Sequence, residues 1–299
     1  MKQLISIVGP TAVGKTGLSL KLARNFGTEI LSTDSRQIYQ GMNIGTAKPS
    51  RDELQQIKHH FIDYLSPDQD YNAGRFEKEA DQLIAQIFEQ HSTLITVGGS
   101  TLYINSLWNG IDEMPKVPVE VRNTLRAEWE QDGLEKLLEE LARVDPETFE
   151  KVDQQNPVRI LRALEVYRSS GTPISVFRKN SSEKKRDYQL IKIGLQAERA
   201  PLFERINQRV EEMFDDGLIQ EVQALLDTGL APEANSLQSI GYREVVQYLH
   251  NIHSVGEAKR LIKRNSRRYA KRQMTWFRRD KEIKWFNTDQ TEEILAYLS

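Results

Sequence analysis

Eight residues near the beginning of the chain, Gly9, Pro10, Thr11, Ala12, Val13, Gly14, Lys15 and Thr16, follow the pattern G-x-x-x-x-G-K-[ST]. Glycines at both ends of such a loop let backbone N–H groups wrap a phosphate chain, and a helix starting there adds positive potential. Lysine at this place supplies a point charge to phosphate oxygens, and the Thr16 hydroxyl suits Mg2+. Gly9–Thr16 is therefore expected to bind a diphosphate or nucleotide, with Thr16 facing the metal. The context agrees with the motif. An apolar run over Lys2–Val8 reads as a buried strand, and Gly14–Phe26 has helical periodicity that stops at Gly27.

A carboxylate and a hydroxyl extend that chemistry. A second strand over Glu29–Thr33 ends at Asp34, and a strand over Thr93–Val97 ends at Gly98-Gly99-Ser100. In an open parallel sheet the carboxyl ends of the strands face the ligand crevice, which brings Asp34 and Ser100 toward the phosphate loop. Asp34 is a candidate general base or Mg2+ ligand, or else a turn cap. Ser100 is a candidate ligand contact, or else part of a tight turn. An ordinary ATPase fits less well, because the strand Leu94–Val97 ends in glycine where such enzymes place Asp. His59 and His60 are adjacent, so on a strand their side chains diverge and a structural role is expected over a metal site. Arg159 and Arg162 share a helix face; phosphate contact and pairing with Glu165 both remain open.

Charge is unevenly spread. The net charge is −2, yet Lys259–Lys284 holds twelve Lys and Arg against two acids, Asp280 and Glu282. Tyr269, Trp276 and Phe277 lie in the same stretch, and Trp285 and Phe286 follow it directly. A block this basic in a near-neutral chain suggests a polyanionic partner, with a solvated helix face as the bland alternative.

These groups need a scaffold that aligns strand ends. Besides the strands named, His60–Leu65 reads as a third strand, and Asn72 caps a helix over Ala73–Gln90. A short helix follows Gly99 through Leu107. Alternating strands and helices predict an α/β fold, a parallel sheet covered by helices on both faces. From Val119 to Ser170 only helical periods appear, with Asn156-Pro157 opening one helix and Gly171 closing it. Arg178–Arg186 reads as a return linker, Tyr188–Leu195 as a resumed strand, and Ile283–Phe286 as an edge strand. Helices are expected over Pro201–Thr228 and Ile240–Arg279. The organisation is a core of 1–114 and 188–299 interrupted by an all-helical insertion at 115–187.

Composition narrows the classes. Among 299 residues, 38% are apolar and 28% charged, enough for a sizeable core. The absence of cysteine excludes a disulfide scaffold, a Cys-ligated zinc site, an iron–sulfur cluster and a thiol nucleophile. Nothing approaches a run of about 18 apolar residues, and Leu4–Val8 is too short for a signal-peptide core, so no membrane association and a cytoplasmic location are expected.

Several segments together resemble the bacterial tRNA dimethylallyltransferases. They are GPTAVGKT at Gly9–Thr16, STDSRQIYQGMNIGTAKP at Ser32–Pro49, HHFID at His59–Asp63 and GGSTLY at Gly98–Tyr103. NPVRILRALEVY at Asn156–Tyr167, QSIGYRE at Gln238–Glu244 and RQMTWFR at Arg272–Arg278 complete the series. The resemblance implies a P-loop NTPase-like core and transfer of a dimethylallyl group from dimethylallyl diphosphate to N6 of adenosine 37, beside the anticodon of tRNA. It implies Asp34 as general base, Thr11–Thr16 as the diphosphate cradle with Mg2+, and Lys15 among the catalytic groups. It implies tRNA contacts at Ser100 and Arg122. Further contacts follow along Asp34, Ser35, Arg36 and Gln37, along Val158, Arg159, Ile160, Leu161 and Arg162, and around Gln238, Gly241 and Arg243. The family usually has Thr where this chain has Ser100; the hydroxyl is retained. A monomer is expected, with the anticodon arm of tRNA and dimethylallyl diphosphate as partners. A small-molecule kinase, an enzyme prenylating free adenine nucleotides and a non-catalytic RNA-binding module are the alternatives.

Overall fold

In a computed structural model, which describes residues 1–179 and 185–298, the chain forms two compact units, Met1–Trp108 with Lys185–Ser299, and Asn109–Lys184. The larger unit opens with β1 (Gln3–Val8), α1 (Lys15–Phe26), β2 (Ile30–Ser32), α2 (Arg51–Gln56), β3 (His59–His60), α3 (Ala73–Ile87), β4 (Thr93–Val97) and α4 (Thr101–Asn109). The helical unit holds α5 (Val119–Asp132), α6 (Glu135–Val144), α7 (Pro146–Lys151), α8 (Pro157–Ser170) and α9 (Ile174–Lys179). The larger unit resumes with β5 (Gln189–Gln196), α10 (Arg199–Asp215), α11 (Leu218–Asp227), α12 (Tyr242–Leu249), α13 (Val255–Phe277), β6 (Lys284–Asn287) and α14 (Thr291–Leu298). No helix among the described residues is long and apolar enough to cross a membrane.

The six strands form one sheet in the order β3-β2-β4-β1-β5-β6, and every pair is parallel. Side chains alternate between its faces. Along β1, Leu4 and Val8 enter one apolar cluster, while Ile5 and Ile7 enter the other. Ser6, buried on the first face, accepts from Trp108 Nε1 at 3.0 Å, which settles the polar end of a fully buried indole. α3 buries Ala73, Phe76, Ala80, Ile84 and Ile87, a stripe at helical spacing, and Asn72 caps it by accepting from the Arg75 N–H.

The helical unit has its own core of Leu125, Leu137, Leu141, Ile160, Ala163, Leu164, Val166 and Ile174. Arg168 on α8 bridges Glu128 at 2.8 Å and Glu140 at 2.5 Å, tying three helices together. Hydrogen bonds to Ser175 and Thr148 outweigh burial and hold the Asp145 carboxyl below its usual range.

Several elements depart from the sequence expectation. The strand expected over His60–Leu65 is only His59–His60, because Phe61 and Asp63 turn to φ of 59° and 50°. The helical stretch Pro201–Thr228 breaks at Gly217 (φ 98°), and Ile240–Arg279 breaks around Asn251 (φ 59°), after which Ser254 caps α13. The short helices α2 and α14 were not among the expected elements, although Ser50 and Glu53 form the capping box that opens α2. The linker expected over Arg178–Arg186 begins inside α9, and its centre, 180–184, lies outside the described residues.

The loops after β2 and β4 meet without a gap. A Cβ on Gly98 would lie 2.2 Å from Thr33 Oγ1 and 2.7 Å from the Thr33 carbonyl carbon. Gly98→Ala is therefore expected to destabilise the protein by about 1–3 kcal/mol through overpacking. Gly17→Ala, inside α1 with nothing within 4 Å, is expected to stabilise by up to about 1 kcal/mol. Urea denaturation midpoints compare the two. An unchanged midpoint for Gly98→Ala would mean that the two loops separate at no cost.

Candidate active site

The register of the sheet sets the site. Val97 pairs with Ile7 on one side and Ser32 on the other, so β1, β4 and β2 end level. The phosphate loop, Asp34 and Gly98–Ser100 therefore leave the same edge. Two cavities open there, of about 270 Å3 and about 520 Å3. Asp34, Thr11, Arg209 and Tyr269 line both.

The smaller cavity is the loop itself. Thr11–Thr16 line it, whereas Gly9 and Pro10 lie beneath and offer their carbonyls to Lys15 Nζ at 3.0 and 2.8 Å. Gly9 is obligatory on two counts: its φ is 145°, and a Cβ would sit 2.5 Å from the Leu195 carbonyl oxygen. Desolvation lowers the Lys15 pKa to about 8; Asp34 pulls it up, and Arg209 pushes it down. His59 reaches this cavity, with Nδ1 held by the Ile57 carbonyl at 2.7 Å, while His60 turns away to Glu29 at 2.6 Å. The divergence expected of adjacent histidines is what the strand produces. Among the described residues no cluster of three or more His, Cys, Asp or Glu is suited to a metal.

Asp34 uses one oxygen for structure. Its Oδ1 accepts from the N–H groups of Arg36 at 2.8 Å and Gln37 at 3.3 Å, capping the turn after β2. Its carboxylate still faces both cavities. Ser100 Oγ accepts from Ser35 N at 2.9 Å and donates to Ser35 Oγ at 3.1 Å, binding the β4 loop to the β2 loop. Arg36 donates from Nη1 to the Asn235 carbonyl at 2.5 Å, and Gln37 Nε2 donates to the carbonyls of Thr46 and Ala47.

The larger cavity is basic. Gln238 and Arg243 line it, as do Arg268 and Arg272 from α13. Gly241 does not line it; it turns the chain at φ 100° and gives its N–H to Glu244 at 2.8 Å. Several other cations on α13 have partners. Lys259 and Lys263 pair with Glu211, Arg260 with Glu257, and Arg267 bonds Asn207.

Arg122 and the 158–162 segment belong to the helical unit. Glu165 takes Arg162 Nη1 at 3.1 Å and lies 3.9 Å from Arg122 Nε, so the surface pairing foreseen for Arg162 is formed. Val158 and Arg159 are exposed. Ile160 is fully buried in the helical core, so its side chain does not reach the surface where the resemblance implied a contact, while Leu161 is partly buried and packs against that core.

Sequence reading missed three residues of this site: Arg209, Tyr269 and Gln273. Burial lowers the Arg209 pKa, with Glu212 opposing and Arg205 reinforcing. Burial raises the Tyr269 hydroxyl to about 12, and the charge of Asp34 adds to it. Gln273 is buried on α13 between Ala270 and Phe277, and a polar residue on an apolar stripe was the available signal.

A family model described as IPP transferase matches residues 37–280. The chain belongs to the IPP transferase family. It is 42% identical over 297 residues to the tRNA dimethylallyltransferase of Cytophaga hutchinsonii, covering 99% of this chain and 96% of that one. It is 46% identical over 283 residues to tRNA dimethylallyltransferase 2 of Geotalea uraniireducens, covering 95% and 91%. Among solved structures, it is similar to the full-length tRNA isopentenylpyrophosphate transferase of Bacillus halodurans, with a TM-score of 0.73 and 35% identity over 100% of this chain and 96% of that one. A eukaryotic dimethylallyltransferase solved acting on tRNA gives a TM-score of 0.80 at 26% identity, covering 96% of this chain and 74% of that one. These IPP transferases share the parallel-sheet core with its phosphate loop.

With its pKa lowered to about 8 by burial, the Lys15 ammonium can lose its proton within an accessible pH range, which makes anion binding pH-dependent. An anion binds the charged form and raises its pKa. Below about 8 the free group is already protonated, so affinity is independent of this group; above it, each binding event must take up a proton. Inorganic diphosphate affinity is expected to weaken above pH 8 by up to about tenfold per pH unit. In Lys15→Arg the break disappears, while the ligand's own titration is common to both proteins. Calorimetric titration between pH 6 and 10 checks it; identical profiles would show that Lys15 stays protonated throughout.

Proposed function

We propose that the protein transfers a dimethylallyl group from dimethylallyl diphosphate to N6 of the adenosine beside the anticodon of tRNA. One observation carries this reading: a single carboxylate, Asp34, is shared by a phosphate-loop cavity and a larger cavity rimmed by arginines. Donor diphosphate occupies the first and the acceptor base the second, so that the reacting atoms meet at Asp34. The names of the relatives support the same reaction class.

The electron balance is simple. The N6 lone pair forms a bond to the allylic carbon as its C–O bond breaks and the electron pair leaves with diphosphate. Asp34 accepts the proton that N6 must lose. Lys15, the amides of Ala12–Thr16 and Arg209 oppose the charge that grows on the leaving group. The hydroxyl of Thr16 and the carboxylate of Asp34 line one cavity and are hard oxygen donors, a set that would suit Mg2+, which would further neutralise the diphosphate when bound. The adenosine has to leave its stack to reach the second cavity. Arg243, Arg268 and Arg272 then face the phosphates around it.

Radiolabelled dimethylallyl diphosphate, incubated separately with tRNA, AMP and buffer, tests the reading. Label is expected in tRNA alone; equal labelling of AMP would make free nucleotide the acceptor. Asp34→Asn keeps an oxygen for the N–H groups of Arg36 and Gln37, so it is expected to fold and bind both substrates. Its single-turnover rate should fall by roughly 10²–10⁴, and a near-normal rate would remove Asp34 from proton transfer. Arg268→Glu with Arg272→Glu is expected to weaken tRNA binding and to lower the slope of log K against log salt by about two. A salt titration that leaves that slope unchanged would make α13 a solvated face.

A further inference from the structure

We infer that Gln273 is a positioning residue that couples the RNA side of the site to the diphosphate side, an inference that rests on the function proposed above. Gln273 is 2% exposed and projects from α13 between two loops. Its Oε1 accepts from the Thr11 N–H at 2.9 Å, and its Nε2 donates to the Gly99 carbonyl at 2.9 Å. One amide thus holds the phosphate loop and the loop that carries Ser100. Tyr269, one turn earlier, donates to the same Gly99 carbonyl at 3.1 Å. A Cβ at position 99 would lie 2.3 Å from Gln273 Nε2, so a larger residue there would displace the amide from its bond to the Gly99 carbonyl.

The same stretch of helix carries the basic wall of the larger cavity. Asn265, Arg268, Tyr269 and Arg272 line that cavity, and Thr11 lines both. Any RNA held by Arg268 and Arg272 therefore pulls on a helix whose next side chain fixes the Thr11 backbone. That backbone N–H lies at the entrance of the diphosphate cradle. A buried glutamine bonded at both ends has two discrete outcomes, bonded or not, since stretching either bond would strand one end of its own buried amide. RNA that fixes α13 thus also fixes the cradle before the donor arrives, and by linkage the donor tightens RNA to the same degree.

The test measures inorganic diphosphate binding to the full chain by calorimetry in the presence of Mg2+, with and without saturating anticodon stem-loop RNA. In the parent protein, RNA is expected to tighten diphosphate by at least about fivefold, the low end of ordinary coupling. In Gln273→Met, similar in length but unable to bond, that factor is expected to fall toward one while RNA affinity itself stays within about twofold, as it would not for a general loss of structure. A Met variant with the parent's coupling factor overturns the inference, as does a parent whose diphosphate affinity ignores RNA. Hydrogen exchange on the unaltered protein decides the matter where the variant does not fold: RNA alone is expected to slow exchange at the Thr11 amide, and unaltered exchange there overturns the inference. Transfer of the labelled dimethylallyl group to tRNA by the parent is assayed alongside. Its absence would sink the proposed function, whereas its presence with no coupling sinks only the role of Gln273.

Discussion

The hydrogen bonds along β4 are the constraint from which the rest of the site follows. β4 lies between β1 and β2, and its last residue, Val97, is in register with both neighbours. Its carbonyl accepts from Thr33 N at 2.8 Å, and the next N–H, that of Gly98, reaches Ile7 O at 3.3 Å. These bonds level three strand ends, so a phosphate loop, a carboxylate and a hydroxyl leave one sheet edge together. A one-residue slip of β4 would exchange its faces, removing Leu94 from one apolar cluster and Ile95 from the other. Core packing far below the site therefore enforces the geometry at its rim.

Charge around that rim is arranged for a guest. Other cations of the larger unit are answered by acids, among them Lys192, which meets Asp280 at 2.7 Å and Glu282 at 2.6 Å. Lys15 instead rests on two backbone carbonyls, and Arg209 forms no ion pair within 4.0 Å among the described residues. Cations held this way remain partly desolvated without a carboxylate, a state that disfavours their charge and is relieved when an anion arrives. The depressed pKa values of Lys15 and Arg209 are two expressions of that condition. They explain why the loop can favour a diphosphate without any large net charge on the protein.

How much of this was legible in sequence depends on the range of the interaction. Gly9–Thr16, Asp34 and Gly98–Ser100 were readable because each combines a local turn requirement with a strand end. Gln273 was not, since its bond to Thr11 spans 262 positions of sequence. Arg209 resembled its neighbours Arg205 and Glu212 on an ordinary charged helix. The His60–Leu65 strand failed for a different reason: alternating large residues mimic a strand, but Phe61 and Asp63 adopt positive φ so that the chain can turn, with Leu65 returning to bridge Tyr39. The burial of Ile160 shows a limit of resemblance. A stretch that contacts a partner as a unit includes residues whose side chains serve only the core beneath it.

The wall between the two cavities has a separate anchor. Thr46 and Ala47 line both, and the backbone just before them is gripped by Glu221 on α11. Its carboxylate accepts from Asn43 N at 2.9 Å, Ile44 N at 2.9 Å and Gly45 N at 3.2 Å, and from the Tyr242 hydroxyl at 2.5 Å. Tyr242 fills the space that a side chain at 45 would need, since a Cβ there would come within 2.3 Å of its ring. Burial and the neighbouring Glu221 both raise the phenol pKa, so it stays protonated and keeps donating. Four donors on one carboxylate hold this stretch of backbone in place between the cavities. Among the described residues that line both cavities, Asp34 brings the one carboxylate, so under the proposed function the proton acceptor sits on a boundary whose other side is held fixed.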